Sequence, residues 1–142
     1  MVAATDNRTC MRVVIVGCGR VGAMVATMMA DAGHDVTVVD LNRKAFDRLG
    51  PDFRGELVLG NGMDEDVLRQ AGIERADAFA CLTNGDNRNI MAAQIAREIF
   101  HVPRVITRIN DPIREDVYSH LGLNAICPTL LGARGIHGML KA

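Results

Sequence analysis

The sequence predicts an α/β domain of the Rossmann type, with a doubly wound parallel sheet between two layers of helices. Three observations support this prediction. Short β-branched apolar runs alternate with helix-period segments along the chain, as they do in parallel α/β sheets. A glycine-rich turn, Gly17-Cys18-Gly19-Arg20-Val21-Gly22, follows the first apolar run. An acid, Asp40, ends the second run about 20 residues further on, where dinucleotide-binding units place it.

Six strand–helix units occupy the 142 residues as a single domain, and six strands of this kind adopt the order 3-2-1-4-5-6. The expected strands are Arg12–Val16, Asp35–Val39, Glu56–Leu59, Ala78–Leu82, Arg104–Ile109 and Ala125–Cys127. The expected helices are Val21–Ala32, Arg43–Leu49, Glu65–Ala71, Asn87–Phe100, Ile113–Leu121 and Thr129–Leu140. Asp64 and Asp86 stand where their side chains can cap the third and fourth of these helices.

Each glycine of the loop has a separate expected task. Gly17 permits the tight turn after the strand, Gly19 lets the backbone approach a pyrophosphate, and Gly22 lets the helix pack closely. The free N–H groups of the loop and the helix dipole then hold the phosphates. Asp40 would accept hydrogen bonds from a ribose 2′-hydroxyl and repel a 2′-phosphate, which favours NAD-type or adenine nucleotides over NADP. The alternative is a Rossmann-like domain whose site is vestigial and empty.

Polar residues at the other strand ends complete the predicted site, because ligands of open α/β sheets lie outside the carboxyl ends of the strands. Leu41 follows the second strand, Asn61 the third, and Thr83 and Asn84 the fourth. The two polar residues after the fourth strand can hydrogen-bond a phosphate, a ribose or an amide. For Asn61 two interpretations remain open, a contact with the adenine edge or a turn shaped with its flanking glycines.

Two arginines are candidates for phosphate contacts. Arg20 lies inside the glycine loop, from which it can reach a phosphate and sense how many phosphates are present. Arg108 lies near the end of the fifth strand. It either reaches a phosphate or forms a salt bridge with Asp111 or Glu115.

Composition excludes several classes of function. The net charge of −1 gives no reason to expect a nucleic acid or an anionic membrane as partner. No apolar run reaches the roughly 18–20 residues that span a bilayer. The first ten residues are polar and lack the apolar core of a signal peptide. The four cysteines and four histidines show no metal-ligand spacing, so we predict no metal site and a reducing, cytosolic setting.

Two features of the first strand–helix unit, a cysteine and a set of methionines, can be explained by structure alone. Cys18 lies in the phosphate loop at a helix start, where it is either a spacer or a redox-active thiolate. Met24, Met28 and Met29 fall at helical spacing. This spacing predicts that they pack in the core against the sheet.

Three segments together resemble a known family. They are GCGRVG, GNGMDEDVLRQAGIERADAFACLTNGDNRNIMAAQIARE, and VPRVITRINDP followed by LGLNAICPT. In this order they resemble the nucleotide-binding lobe of the Trk/Ktr potassium-transport regulators, called the RCK or KTN domain. The resemblance extends over Met11 to Thr129. It implies a domain at residues 11–128, after a polar tail at 1–10 and before a C-terminal helix at 129–142.

The resemblance implies a regulator and not an enzyme. Members of this family are cytosolic subunits that bind NAD(H), ATP or ADP and gate a separate membrane potassium channel. They assemble as dimers and often as an octameric ring. Applied to this chain, the family implies a cytoplasmic protein attached to the inner face of the cell membrane through a channel subunit. It implies neither nucleic-acid binding nor direct membrane insertion.

The family's site residues can be carried over to matching positions. The glycine loop would hold phosphates, the end of the second strand the ribose, and the later strand ends the adenine and the remaining walls: Gly17, Gly19, Arg20, Val21, Gly22, Asp40, Leu41, Asn61, Met63, Thr83, Asn84 and Arg108. Two positions depart from the family pattern. Asn61 stands where an acid is common. Thr129 follows Pro128 where some members have a cation-binding glutamate, so we predict no metal there.

The last segment, residues 129–142, is expected to be a helix that crosses to a second subunit, as in RCK-type domains. Its glycines at 132, 135 and 138 would each cost about 1 kcal/mol relative to alanine in an isolated helix. A homodimer is therefore expected on its apolar residues, Leu130, Leu131, Ile136, Met139 and Leu140. The alternative is a frayed tail. Family members commonly carry a second, smaller ligand-binding lobe or a tandem repeat of the whole unit, so the chain is either a minimal version or a fragment.

The sequence fits two other functions less well than the regulator. An NAD-dependent oxidoreductase, or a fragment of one, needs a catalytic proton donor and a substrate pocket, and the sequence offers neither clearly. A redox-sensing transcription regulator needs a helix-turn-helix and a basic face, and neither is evident.

Overall fold

A computed structural model of the protein describes residues 10–142. One parallel six-stranded sheet has the order β3-β2-β1-β4-β5-β6, which confirms the predicted topology. Of the expected N-terminal tail, residues 1–9 lie outside the described part of the chain. The strands are β1 (Arg12–Val16), β2 (Asp35–Asp40), β3 (Glu56–Leu59), β4 (Ala78–Cys81), β5 (Arg104–Arg108) and β6 (Ala125–Ile126).

The helices alternate with these strands. They are α1 (Arg20–Asp31), α2 (Glu65–Gln70), α3 (Asp86–Gln94), α4 (Pro112–His120) and α5 (Pro128–Lys141). Two short 3₁₀ helices, Arg43–Leu49 and Ile73–Arg75, and a π-helical turn, Ile95–Ile99, complete the described structure. Each strand is thus followed by a helical segment, as doubly wound folds require.

The second predicted helix is a 3₁₀ helix, Arg43–Leu49, and not an α-helix. The Asn42 side chain accepts a hydrogen bond from the N–H of Lys44, which tightens the first turn. Gly50, with φ of 80°, ends the segment after seven residues.

The predicted helix Asn87–Phe100 also changes character along its length. It is α-helical as α3 and continues as the π-helical turn Ile95–Ile99, in which the N–H of Phe100 donates to the carbonyl of Ile95 at 3.3 Å. His101 follows with φ of 53° and ends the helix. The wider turn lets the chain reverse toward β5.

The two faces of the sheet carry separate apolar cores, because successive strand residues point to opposite faces. On β1, Val14 and Val16 belong to the core under α2, α3 and α4, whereas Val13 and Ile15 belong to the core under α1 and the first 3₁₀ helix. Since β1 is covered on both faces, its sequence is continuously apolar from Val13 to Val16.

One of the two predicted helix caps is confirmed. The Asp64 side chain accepts from the N–H of Asp66 at the start of α2. The prediction for Asp86 is wrong, because Gly85 precedes α3 and has no side-chain cap. The Asp86 carboxylate instead accepts from the N–H groups of Asn110 (2.7 Å) and Asp111 (3.1 Å) beyond the neighbouring strand. Two backbone donors outside the helix compete successfully with its own first turn.

The methionine prediction is correct only in part. Met29 packs against the core, but Met24 and Met28 are 59% and 61% exposed. The inward stripe of α1 is formed by small residues, among them Gly22 and Ala23. These bring the helix axis close to the sheet, so the longer side chains lie on the outer face.

Candidate nucleotide-binding site

The glycine loop connects β1 to α1, and its three glycines have different local environments. Gly17 has φ of +104°, and its N–H donates to the carbonyl of Val39 at 2.8 Å. A Cβ on Gly22 would lie 1.8 Å from the carbonyl oxygen of Gly17, so only glycine fits there. A Cβ on Gly19 would meet no atom within 4 Å. The loop therefore turns at the first glycine, packs at the third, and leaves the backbone open at the second.

A cavity of about 580 Å³ opens above this loop, at the carboxyl ends of the strands. This is the edge of the sheet at which such folds bind ligands. All but one of the predicted site residues line it: Gly17, Gly19, Arg20, Val21, Asp40, Leu41, Asn61, Met63, Thr83, Asn84 and Arg108. The exception is Gly22, which is buried behind the loop against Gly17.

Asp40 lies at the end of β2 on the wall next to the glycine loop. Its Oδ2 accepts from the N–H of Cys18 at 2.7 Å, and its Oδ1 accepts from the N–H of Asn42 at 2.8 Å. These bonds fix the direction of the carboxylate. A carboxylate has about four acceptor positions, so Asp40 retains capacity for the hydroxyls of a ribose.

Of the two interpretations of Asn61, the structure shows the turn. Its Oδ1 accepts from the N–H of Met63 at 2.9 Å, which shapes the loop after β3. Both residues also line the cavity. The turn role therefore leaves the amide NH₂ of Asn61 available for a ligand contact.

The wall formed by β4 and β5 is held by a buried amide that the sequence analysis did not identify. Asn89, in α3, is fully buried. Its Oδ1 accepts from the N–H of Thr83 at 3.0 Å, and its Nδ2 donates to the carbonyls of Thr83 (2.8 Å) and Arg108 (2.9 Å). It ties the ends of two neighbouring strands together. Helical spacing gave no sign of this role, because an asparagine in a first turn is ordinarily assigned to capping.

Among the described residues, Arg108 does not form the salt bridge with Asp111 or Glu115 that was the alternative to a phosphate contact. Its Nε donates to Oδ1 of Asn110 at 2.8 Å, while its side chain lines the cavity. The guanidinium is therefore held by a neutral amide, from which a phosphate can displace it.

Two further arginines reach the cavity and were not predicted. Arg48, from the first 3₁₀ helix, donates to the carbonyl of Cys18 at 3.3 Å, and Arg88 of α3 donates to Oδ1 of Asn84 at 3.1 Å. With Arg20 and Arg108, four arginines and a single acid, Asp40, line the cavity. This excess of positive charge suits a ligand with several phosphate charges.

The environment of Cys18 favours the spacer interpretation. Burial raises the pKa of the Cys18 thiol, the carboxylate of Asp40 raises it further, and Arg48 opposes this shift without cancelling it. The thiol is therefore protonated at neutral pH, whereas a redox-active cysteine needs its thiolate.

Within residues 10–142 the structure contains no cluster of three or more metal-ligating side chains. In the same part of the chain, no helix combines the length and the apolar character needed to cross a bilayer.

Comparison with known proteins identifies relatives over most of the chain. The family model described as the TrkA-N domain matches residues 13–128. The Trk system potassium uptake protein TrkA of Streptomyces coelicolor is 50% identical over 116 residues, which are 82% of this chain and 52% of that protein. The TrkA homolog of Pyrococcus abyssi is 35% identical over 78% of this chain and 49% of that protein. The chain thus spans about half the length of these curated relatives.

Solved structures share the fold. The RCK domain of GsuK superposes with a TM-score of 0.77 and 25% identity, covering 92% of this chain and 28% of that chain. GsuK bound to ADP has a TM-score of 0.77 and 24% identity, covering 92% and 34% of the two chains. The GsuK channel bound to NAD has a TM-score of 0.68 and 19% identity, covering 86% and 22%.

Proposed function

This chain belongs to the TrkA-N domain family, and from this membership we propose that it is the nucleotide-sensing part of a regulator that gates a membrane potassium-uptake channel. The curated relatives are named as Trk potassium uptake proteins and not as enzymes. The observation that carries the proposal is the cavity at the carboxyl ends of the strands, which is lined by four arginines, Asp40 and the open glycine loop.

The ligand we propose is NAD(H) or an adenine nucleotide, ATP or ADP. The open backbone at Gly19 and the N-terminus of α1 suit a pyrophosphate. The fixed carboxylate of Asp40 suits an unphosphorylated ribose. Structures of GsuK bound to ADP and to NAD support both ligand classes. Asn61 and Met63 would border the adenine.

Gating requires more than binding. A ligand shifts an equilibrium between two channel states only by the difference between its affinities for them. We propose that nucleotide exchange provides this difference by changing the geometry of a dimer or an octameric ring. The regulator would act in the cytoplasm, at the inner face of the membrane, through the channel subunit and without inserting itself.

The replacement Arg20→Ala tests this function. Arg20 is exposed and lines the cavity at the start of α1, where it would contact the outermost phosphate. We expect the affinity for ATP to fall about tenfold, because a charge-assisted bond is lost. The loss of affinity for ADP should be smaller. Calorimetric titration with each nucleotide would measure both affinities. In cells with the whole protein and its channel, potassium uptake should change as well.

The control is Arg43→Ala, which removes the same charge from a neighbouring residue that does not line the cavity. It should leave affinity and uptake as in the wild type. An equal loss for all nucleotides in the Arg20 variant would show that this residue is not a phosphate sensor. Unchanged uptake after loss of ATP affinity would contradict nucleotide control of the channel.

We also propose that α5 forms a homodimer. The structure gives this helix no buried residue, and Leu131, Ile136, Met139 and Leu140 are all more than half exposed. Around the ideal Cβ positions of its three glycines, no atom lies within 4 Å. This glycine stripe lets a second backbone approach closely.

Light scattering after size exclusion tests the dimer. We expect the wild type to have twice the mass of the chain, and Ile136→Asp to shift it toward the monomer because a charge would be buried in the interface. Arg134→Glu, a charge change at an already charged position of the same helix, serves as a control. A wild type that stays monomeric at high protein concentration would rule out the dimer.

A further inference from the structure

We propose that Asn110 is a positioning residue that connects Arg108 in the cavity to the first turn of α5, so that a nucleotide bound at Arg108 alters α5. This inference rests on the proposed nucleotide-binding function. It adds a route by which the occupied cavity reaches the helix that we assign to the subunit interface.

The route consists of hydrogen bonds through a single residue. Oδ1 of Asn110 accepts from Nε of Arg108 at 2.8 Å. Its backbone N–H and its Nδ2 donate to Oδ1 of Asp86, at 2.7 and 3.0 Å. Its carbonyl accepts from Oγ1 of Thr129 at 3.0 Å and from Sγ of Cys127 at 3.5 Å. All its polar groups are therefore engaged, and displacement of the side chain strains the other contacts.

The carboxylate of Asp86 holds Asn110 in place by accepting its hydrogen bonds. Burial by itself would raise its pKa, but the N–H groups of Asn110 and Asp111 donate to the carboxylate and hold the pKa below its usual range. Asp86 is therefore ionised at neutral pH. Its place in the first turn of α3 anchors the segment after β5 to the same helix that carries Asn89.

The start of α5 depends on few other contacts. Cys127 precedes the helix without a side-chain cap, and Pro128 has no N–H to offer. No residue of α5 is buried. The bond from the Thr129 hydroxyl to the carbonyl of Asn110 thus links the first turn of α5 to the segment after β5. A shift of that carbonyl is therefore transmitted to the first turn of the helix.

A bound phosphate would compete for the guanidinium of Arg108. Phosphate forms a charge-assisted bond with arginine, which is stronger than the bond to the neutral amide of Asn110. When Arg108 turns to the ligand, the Asn110 side chain loses its donor and the segment before α4 relaxes. The carbonyl that Thr129 contacts moves with it. The two sites are then coupled in both directions.

Hydrogen–deuterium exchange of the α5 amides tests the coupling. In the wild type, saturation with ATP, or with NADH if that ligand binds, should change the exchange rates at residues 129–141 by about fivefold or more. Thr129→Val removes the hydroxyl but preserves the branched shape, and Thr129 does not line the cavity. Because the coupling is reciprocal, this variant should still bind the nucleotide with an affinity within about fivefold of the wild type. The nucleotide should no longer change α5 exchange.

Thr129→Ser is the matched control, because it keeps the hydroxyl and should keep the response. Calorimetry on the same samples separates the two proposals. A wild type that binds no nucleotide would overturn both. Normal binding without a change in α5 exchange, or a Thr129→Val variant that responds as fully as the serine variant, would overturn the coupling alone.

Discussion

Replacement of Gly22 by alanine is expected to lower the free energy of unfolding by about 3 kcal/mol, the upper range for a group forced into a filled space. The added Cβ would lie 1.8 Å from the carbonyl oxygen of Gly17. That oxygen belongs to the backbone of the tight turn, so it cannot move without displacing the loop. Denaturant titration followed by circular dichroism would measure the loss.

Gly19→Ala is the matched control, because it adds the same methyl group at a position whose Cβ would meet no atom within 4 Å. Its φ of −83° suits alanine. We expect its stability to stay within about 1 kcal/mol of the wild type, while nucleotide affinity falls because the methyl group occupies the approach of the pyrophosphate. Equal stability of the two variants would contradict the assigned glycine roles.

The second large effect is expected for Asp40→Ala, which should lower the affinities for ATP and NADH alike by roughly 10- to 100-fold. Both ligands present the same adenosine ribose, whose hydroxyls would donate to this carboxylate. The variant also loses the hydrogen bonds that Asp40 accepts from the N–H groups of Cys18 and Asn42, which fix the loop. Calorimetric titration with each nucleotide would measure the affinities.

Asp47→Ala is the control for charge, because Asp47 is exposed and does not line the cavity. It should bind nucleotides as the wild type does. Asp40→Asn separates geometry from charge, since the amide keeps one acceptor oxygen. If Asp40→Ala bound ATP and NADH with wild-type affinity while remaining folded, the ribose contact would be excluded.

The sheet could be predicted from sequence because its signals are local and repeated. Apolar runs such as Arg12–Val16 and Glu56–Leu59 have the predicted bounds in the structure. The parallel order then follows from alternation with helices. The position of Asp40 in the site could be predicted equally well, because ligands of this fold bind at the carboxyl ends of the strands.

The features that could not be predicted from the sequence depend on the face of a helix on which a residue lies, or on contacts between distant segments. Arg48 and Arg88 reach the cavity from helices whose orientation the sequence does not specify. Asp86 bonds to backbone groups 24 and 25 residues away, which no local capping rule includes. For Met24 and Met28, apolar periodicity identified a stripe but not its direction, because small residues fill the inward face of α1.

The central claim is that the cavity binds a nucleotide with an unphosphorylated ribose. Calorimetric titration of the purified protein with NADH, NAD⁺, ATP, ADP and NADPH tests it most directly. We predict saturable binding of NADH or an adenine nucleotide, with NADPH much weaker because its 2′-phosphate would face Asp40. Absence of binding by all five, or NADPH binding as tightly as NADH, would contradict the claim.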